Sequence, residues 1–292
     1  MTRRASLVVA LLTVALLATA CGEGDEGAAP TAVDAPAAST TSTTSTNPTT
    51  TPAPPPPGGR RPTTDDPLRV LMAGDSLMAD ISLAISSTLQ DGGHAVTRLV
   101  AAPSIPREDV TRTLWRRQLD QYDPEVVVIM IGVWEGMAAD ALREQPLGTR
   151  AWLRAYRRQN LEPYLDLLTS EGADVVWVAM PPSIDPHRQL EWSSMNRAVR
   201  QLAHDSPDLT YIPGDTILAR PDGRWADVLP GPRGTPQRVR RLDATHLCAD
   251  GAERLARPVL RYVQRQWDVP LAEDWSNRNW RWVFPPAECP EP

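Results

Sequence analysis

Two short stretches constrain this chain most: Val126–Ile131, "VVVIMI", and Val175–Met180, "VVWVAM", are apolar without a break. A strand with one wet face alternates apolar and polar residues, whereas a strand covered on both faces does not. Both runs are short and rich in β-branched valine, so they read as central strands of a parallel sheet rather than as helices. Shorter apolar runs alternate with longer amphipathic ones along the rest of the domain. "LRVLMAG" is followed by "SLMADISLAISSTL", then "AVTRLVAA", "TRTLWRRQLDQY" and "EVVVIMIG". A helix around Arg150–Thr169, the strand "DVVWVAMPP", a helix around Leu190–Ala203, the strand "LTYIP" and the helix "GAERLARPVLRYVQRQW" complete the series. This order predicts an α/β domain with a central parallel sheet and helices on both faces. Functional groups of such a sheet gather at the C-terminal strand ends. Ser76 follows the first strand, Trp134 and Glu135 the third, and Pro181–Ser183 the fourth.

The N-terminal part reads differently. Arg3 and Arg4 precede an apolar stretch, Leu7–Ala18, too short for a spanning helix, and small residues lead to Cys21. This is the pattern of an export signal over residues 1–20. "LLATAC" resembles a bacterial lipoprotein signal, with Ala18 where leucine is common; the resemblance implies lipidation of Cys21 and anchoring at the outer face of a bacterial membrane. The alternative is an ordinary cleaved signal with Cys21 incidental. Residues 21–67, including "STTSTTSTNPTTTPAPPPPGG", hold almost nothing that could form a buried face and are expected to be a disordered tether. Residues 68–269 then form one domain, and 270–292 a tryptophan-rich tail packed on it.

Net charge is −6 and every basic side chain is arginine, which gives no sign of nucleic-acid binding. The clusters Arg116–Gln118 and Arg238–Arg241 read as solvated faces or as anion sites. With Cys21 set aside, Cys248 and Cys289 are an even pair in an exported chain and are expected to form a disulfide, the alternative being two free thiols. None of the four histidines belongs to a metal-binding motif, so neither metal nor cofactor is expected. Trp275, Trp280 and Trp282 could stack on sugar rings or cover a core opening.

Ser76 sits where a strand turns into a helix, a place where serine often caps the helix. The same place aims helix N–H groups and the positive end of the helix dipole at a serine oxygen and at an oxyanion beside it. A base decides between cap and nucleophile. In "RLDATHLCADGAERLA", Asp243 and His246 lie three apart just before a helix, so the carboxylate can orient the imidazole.

"GDSL" after the first strand and a late D-x-x-H before the last helix together resemble the SGNH (GDSL-type) hydrolase family, over roughly Leu68–Trp267. The resemblance implies a three-layer α/β/α flavodoxin-like fold, with Ser76 as nucleophile, His246 as general base and acid, Asp243 as its orienting partner, and Asp75 supporting the serine turn. Two departures stand out. The family's G-x-N-D block reads "GVWE" here, with Gly132 kept, Trp134 at the Asn position and Glu135 at the Asp position; the lost amide removes an oxyanion donor worth about 3 kcal/mol elsewhere. The glycine block after the second strand reads "AAPSIPRED", so Ser104 or a neighbour must supply that N–H. Arg107 either replaces part of the oxyanion stabilisation or makes a surface ion pair with Glu108 or Asp109. Asn196, on a helix with an apolar face, reads as a packing or capping residue.

"GVWE" and "DATHLCADGAERLA" further resemble SGNH domains of bacterial envelope proteins that move acyl groups on surface glycans. The expected function is a serine esterase or O-acyltransferase acting on acyl groups, acetyl first among them, of an envelope glycan or small ester. The alternatives are a catalytically weak glycan-binding or envelope-assembly protein, and a secreted lipase. A lipase predicts a wide apolar mouth, against which the arginine-rich loop at Arg233–Arg241 speaks.

Overall fold

The computed structural model describes residues 57–135, 145–272 and 279–292. Strands β1 (Leu68–Gly74), β2 (Ala95–Ala101), β3 (Val126–Met130), β4 (Asp174–Val178) and β5 (Leu209–Ile212) form one parallel sheet in the order β2-β1-β3-β4-β5. This is the flavodoxin-like order, whose direction of winding reverses between β1 and β3 and opens a crevice at their C-terminal ends. The unbroken apolar runs are explained by their surroundings. All of β3 is buried, as is β4 after Asp174, and each such valine or isoleucine contributes roughly 1.5–3 kcal/mol by leaving water.

The helices are α1 (Ser76–Asp91), α2 (Asp109–Tyr122), α3 (Arg150–Tyr156), α4 (Glu162–Thr169), α5 (Pro186–Asp205), the single turn α6 (Gly214–Ile217) and α7 (Ala249–Trp267). One face of the sheet packs Val70, Met72 and Val128 against Leu77, Ile81 and Ile85 of α1 and Leu255 and Val259 of α7. The other packs Leu71, Ile129 and Val175 against Trp115 of α2, Leu168 of α4 and Val199 of α5. The three layers expected from the alternation are therefore present. Gly74, the last residue of β1, is demanded by contact: a Cβ there would stand 2.0 Å from the Met130 carbonyl oxygen of β3.

Two features escape the alternation. The helix expected over Arg150–Thr169 contains a π-turn at Arg157–Leu161, and a short hairpin, β6 (Val228–Pro230) with β7 (Pro236–Arg238), precedes the Asp243–His246 loop.

The signal segment, Cys21, most of the tether and Trp275 lie outside the described residues. The stretch 57–67, assigned to the tether by composition, lies against the domain. The Arg60 Nε and Nη2 each donate at 2.6 Å to the two oxygens of Glu125, and the Gly58 N–H donates to the Gln266 carbonyl at 2.8 Å beside the Trp267 ring. The tether boundary at Pro67 is thus corrected: composition cannot register an arginine whose partner lies far along the chain. At the other end, Cys248 and Cys289 form a disulfide. Trp280 and Phe284 join the core, while Trp282 is 84% exposed.

Candidate active site

Asp75, rather than Ser76, caps α1. Its Oδ1 accepts from the Leu77 N–H at 3.0 Å, and its Oδ2 accepts from the N–H groups of Gly132 and Val133 at 2.9 and 2.8 Å. Such a cap contributes on the order of 1 kcal/mol, and here it also ties the end of β1 to the end of β3. Burial pushes the Asp75 carboxyl above its ordinary value, although the three N–H groups pull the other way. With the capping role filled, Ser76 becomes the first helical residue and its hydroxyl is free to turn elsewhere. Its own N–H, at the start of the helix, has no intrahelical acceptor.

The hydroxyl meets His246. Ser76 Oγ lies 2.8 Å from His246 Nε2, and His246 Nδ1 lies 2.5 Å from Asp243 Oδ2. The three residues that the sequence singles out, 170 positions apart at the extremes, therefore stand in one hydrogen-bonded line. Asp243 Oδ1 meanwhile accepts the backbone N–H groups of Thr245 and His246, both at 2.9 Å, so the carboxylate folds its own loop while holding the ring. Partial burial pushes the Asp243 carboxyl up, but the His246 hydrogen bond and the two backbone N–H groups together outweigh it and hold it below the ordinary value.

That loop is braced by residues the sequence reading did not single out. Ala244 adopts a left-handed conformation, φ 61°, which costs a non-glycine residue roughly 1–2 kcal/mol, and its carbonyl is held by Trp225 Nε1 at 3.1 Å. Asp80, one turn along α1 from Ser76, accepts the Leu247 N–H at 2.9 Å and an Arg241 Nη2 bond at 2.7 Å. Arg241 continues to Glu288 of the tail at 3.1 Å. Arg240 is fully buried and donates to the carbonyls of Thr245 at 2.6 Å and Pro182 at 3.0 Å; burial pulls its guanidinium down to about 10. In the cluster Arg238–Arg241, then, Arg240 and Arg241 belong to neither a solvated face nor an anion site: they cross-link the loop to the segment after β4, to α1 and to the tail. No short motif announces such roles, because each partner is set by the tertiary fold.

Residues of the altered block, of the loop after β2 and of α5 are held in structural bonds. Gly132 gives its N–H to Asp75 and its carbonyl to Trp192 Nε1, and a Cβ there would collide with Met180, so its role is structural. Glu135 is fully buried and pairs with Arg107 Nη2, accepting also from the Tyr156 hydroxyl and the Ile105 N–H, both at 2.9 Å. Arg107 Nε reaches Asn160 at 2.7 Å, across the π-turn that lets Tyr156 and Asn160 face the same network. Burial pushes the Glu135 carboxyl up despite the guanidinium beside it. The pair is neither an oxyanion device nor a surface ion pair with Glu108 or Asp109. It clamps the loop after β2 to the end of β3. Asn196 likewise closes two bonds with the Met180 backbone, at 2.9 and 2.7 Å.

What remains at Ser76 is a cleft of about 370 Å³ lined by Gly74, Asp75, Ala79, Leu99, Ala101–Pro103 and Trp134. Trp134 is 53% exposed. The Ala102 N–H is taken by the Gly74 carbonyl and Pro103 has none, while Ser104 lines the next groove along. A serine with a mobile proton, an oriented imidazole and a helix start together form the parts list of nucleophilic acyl transfer.

Comparison with known proteins adds context. A family model described as "Protein of unknown function (DUF459)" matches residues 69–262. No curated protein matches significantly. Among solved structures, a GDSL-like lipase from Bacteroides thetaiotaomicron is 11% identical, with a TM-score of 0.44 over 70% of this chain and 91% of that one. A carbohydrate esterase of family 3 from Talaromyces cellulolyticus is 14% identical, TM-score 0.44, over 70% and 100% of the two chains. A variant of an acetylxylan esterase from Geobacillus stearothermophilus is 15% identical, TM-score 0.42, over 68% and 95%. None of these likenesses bears on the chemistry, which rests on the geometry above.

Proposed function

The chain belongs to the DUF459 family, and from its site we propose that it is a serine esterase or O-acyltransferase working through an acyl-enzyme on Ser76. The observation that carries this reading is the line Ser76 Oγ to His246 Nε2 to Asp243, at 2.8 and 2.5 Å. Ser76 Oγ attacks the acyl carbonyl carbon while its proton passes to His246 Nε2. Asp243 holds the ring in the tautomer that accepts at Nε2 and stabilises the imidazolium that forms. The carbonyl oxygen, now negative, faces the start of α1 and the Ser76 N–H. The ester C–O bond then breaks, His246 returns the proton to the departing alkoxide, and the acyl group stays on Ser76. Water or an acceptor hydroxyl repeats the sequence in reverse, giving hydrolysis or transfer. The export expected from the sequence of residues 1–20 would make an acylated envelope glycan the ester met in place.

The test is hydrolysis of p-nitrophenyl acetate and butyrate by the full-length protein. Ser76→Ala and His246→Ala should each lower the rate by at least about a thousandfold. A second reading, a glycan-binding cleft without turnover, draws on one observation: the half-exposed Trp134 stands where the family resemblance places an oxyanion-binding amide. No release by folded wild-type protein, with no acyl-enzyme trapped on Ser76, would decide for that reading.

A further inference from the structure

The wall of the cleft beyond the β1–α1 turn consists of Leu99, Ala101, Ala102, Pro103 and Trp134. The indole N–H is the only hydrogen-bonding group among these five side chains. The carboxylate in the cleft, Asp75, already accepts from three backbone N–H groups. A sugar ring against this wall would leave hydroxyls unpaired, whereas a hydrocarbon chain gives up nothing there. Leu99 and Trp134 are also 45% and 53% exposed, so apolar surface stands in water beside Ser76. Ala101, Ala102 and Pro103 form a crest shared with a larger groove of about 530 Å³ between the end of β2 and α2, where the apolar Val100, Ile105, Pro106, Leu114 and Trp115 are joined by the polar Ser104, Arg107, Glu108, Thr111 and Gln118. Leu114 is itself 53% exposed.

We propose that this wall is the acyl-binding side of the site. Its occupant is a linear acyl chain longer than the acetyl group the sequence suggests, in the range butanoyl to octanoyl, whose far end crosses the Ala101–Pro103 crest into the α2 groove. The inference rests on the esterase reading for its reaction, but not for its binding. An acetyl methyl leaves most of the cleft to water and Leu99 and Trp134 uncovered. Each methylene laid over them is worth up to about fourfold in affinity. The alcohol part of the ester then lies on the opposite side of Ser76, towards the His246 loop.

Two measurements on the full-length protein test this. The first is kcat/KM across p-nitrophenyl acetate, butyrate, hexanoate and octanoate, which should rise several-fold at each step to hexanoate or beyond. Leu99→Asp should lower the ratio to acetate from butyrate onward, and Leu114→Asp only for the longest ester. A maximum on acetate with decline thereafter overturns the proposal and leaves the esterase reading intact. The second is calorimetric titration of Ser76→Ala with sodium acetate, butyrate and octanoate, which needs no turnover. Octanoate should bind at least about tenfold more tightly than acetate. That result supports the apolar site even if no ester is hydrolysed; equal affinities for the three carboxylates sink it.

Discussion

Asp243 holds the imidazole of His246 with one oxygen and the turn that carries it with the other. Its carboxyl is held below the ordinary value near pH 3.9, so the folded chain favours the ionised form. The sign follows: this contribution to stability is present above about pH 4 and is lost as the pH falls through the folded-state value. Asp243→Asn removes the titration. The melting-temperature advantage of wild type over this variant at pH 7 should therefore narrow on acidification below about pH 4. An advantage that stays constant into the acid range would show that the carboxyl is not held low. At this scale the sequence was legible where chemistry is local. Asp243 and His246 are three residues apart, and Ser76 follows a strand end. Glu135 as the partner of Arg107 is illegible in the sequence because a buried pair 28 residues apart leaves no periodic trace. For Gly132 a kept glycine says that space is tight, not that its N–H is bonded to Asp75.

Helix α1 places Ser76 in its first turn and Asp80 in its next, and Asp80 holds Leu247, the neighbour of His246. One rigid turn of helix therefore sets both the nucleophile and the anchor of its base. Asp80→Asn should lower kcat by about tenfold to a hundredfold with KM for the same ester unchanged, since substrate does not touch it. Equal changes in both constants together with a lower melting temperature would instead indicate general loosening of α1. The elements were legible to the extent that apolar period reports burial: the continuous runs became β3 and β4, and the alternation gave the five strands in chain order. The spatial order of the strands is a tertiary fact. The π-turn at Arg157–Leu161 was invisible because it preserves the helical pattern while shifting its phase, and the β6–β7 hairpin because its strands are three residues each.

On the scale of the whole molecule, the C-terminal tail is part of the domain. It enters the core with Trp280 and Phe284, reaches the His246 loop through Glu288, and is joined by disulfide to Cys248 across 41 residues. The chain-entropy account of a loop that long gives up to about 4 kcal/mol of stabilisation. Cys248→Ser with Cys289→Ser should lower the denaturant midpoint accordingly; an unmoved midpoint would show that the aromatic contacts hold the tail unaided. The opposite end of the chain has a different consequence. Gly58 and Arg60 fasten beside the end of α7 and the start of β3, at the pole of the sheet away from Ser76. Residues 57–67 are thereby held away from the cleft, so no part of that segment stands between Ser76 and an arriving ester.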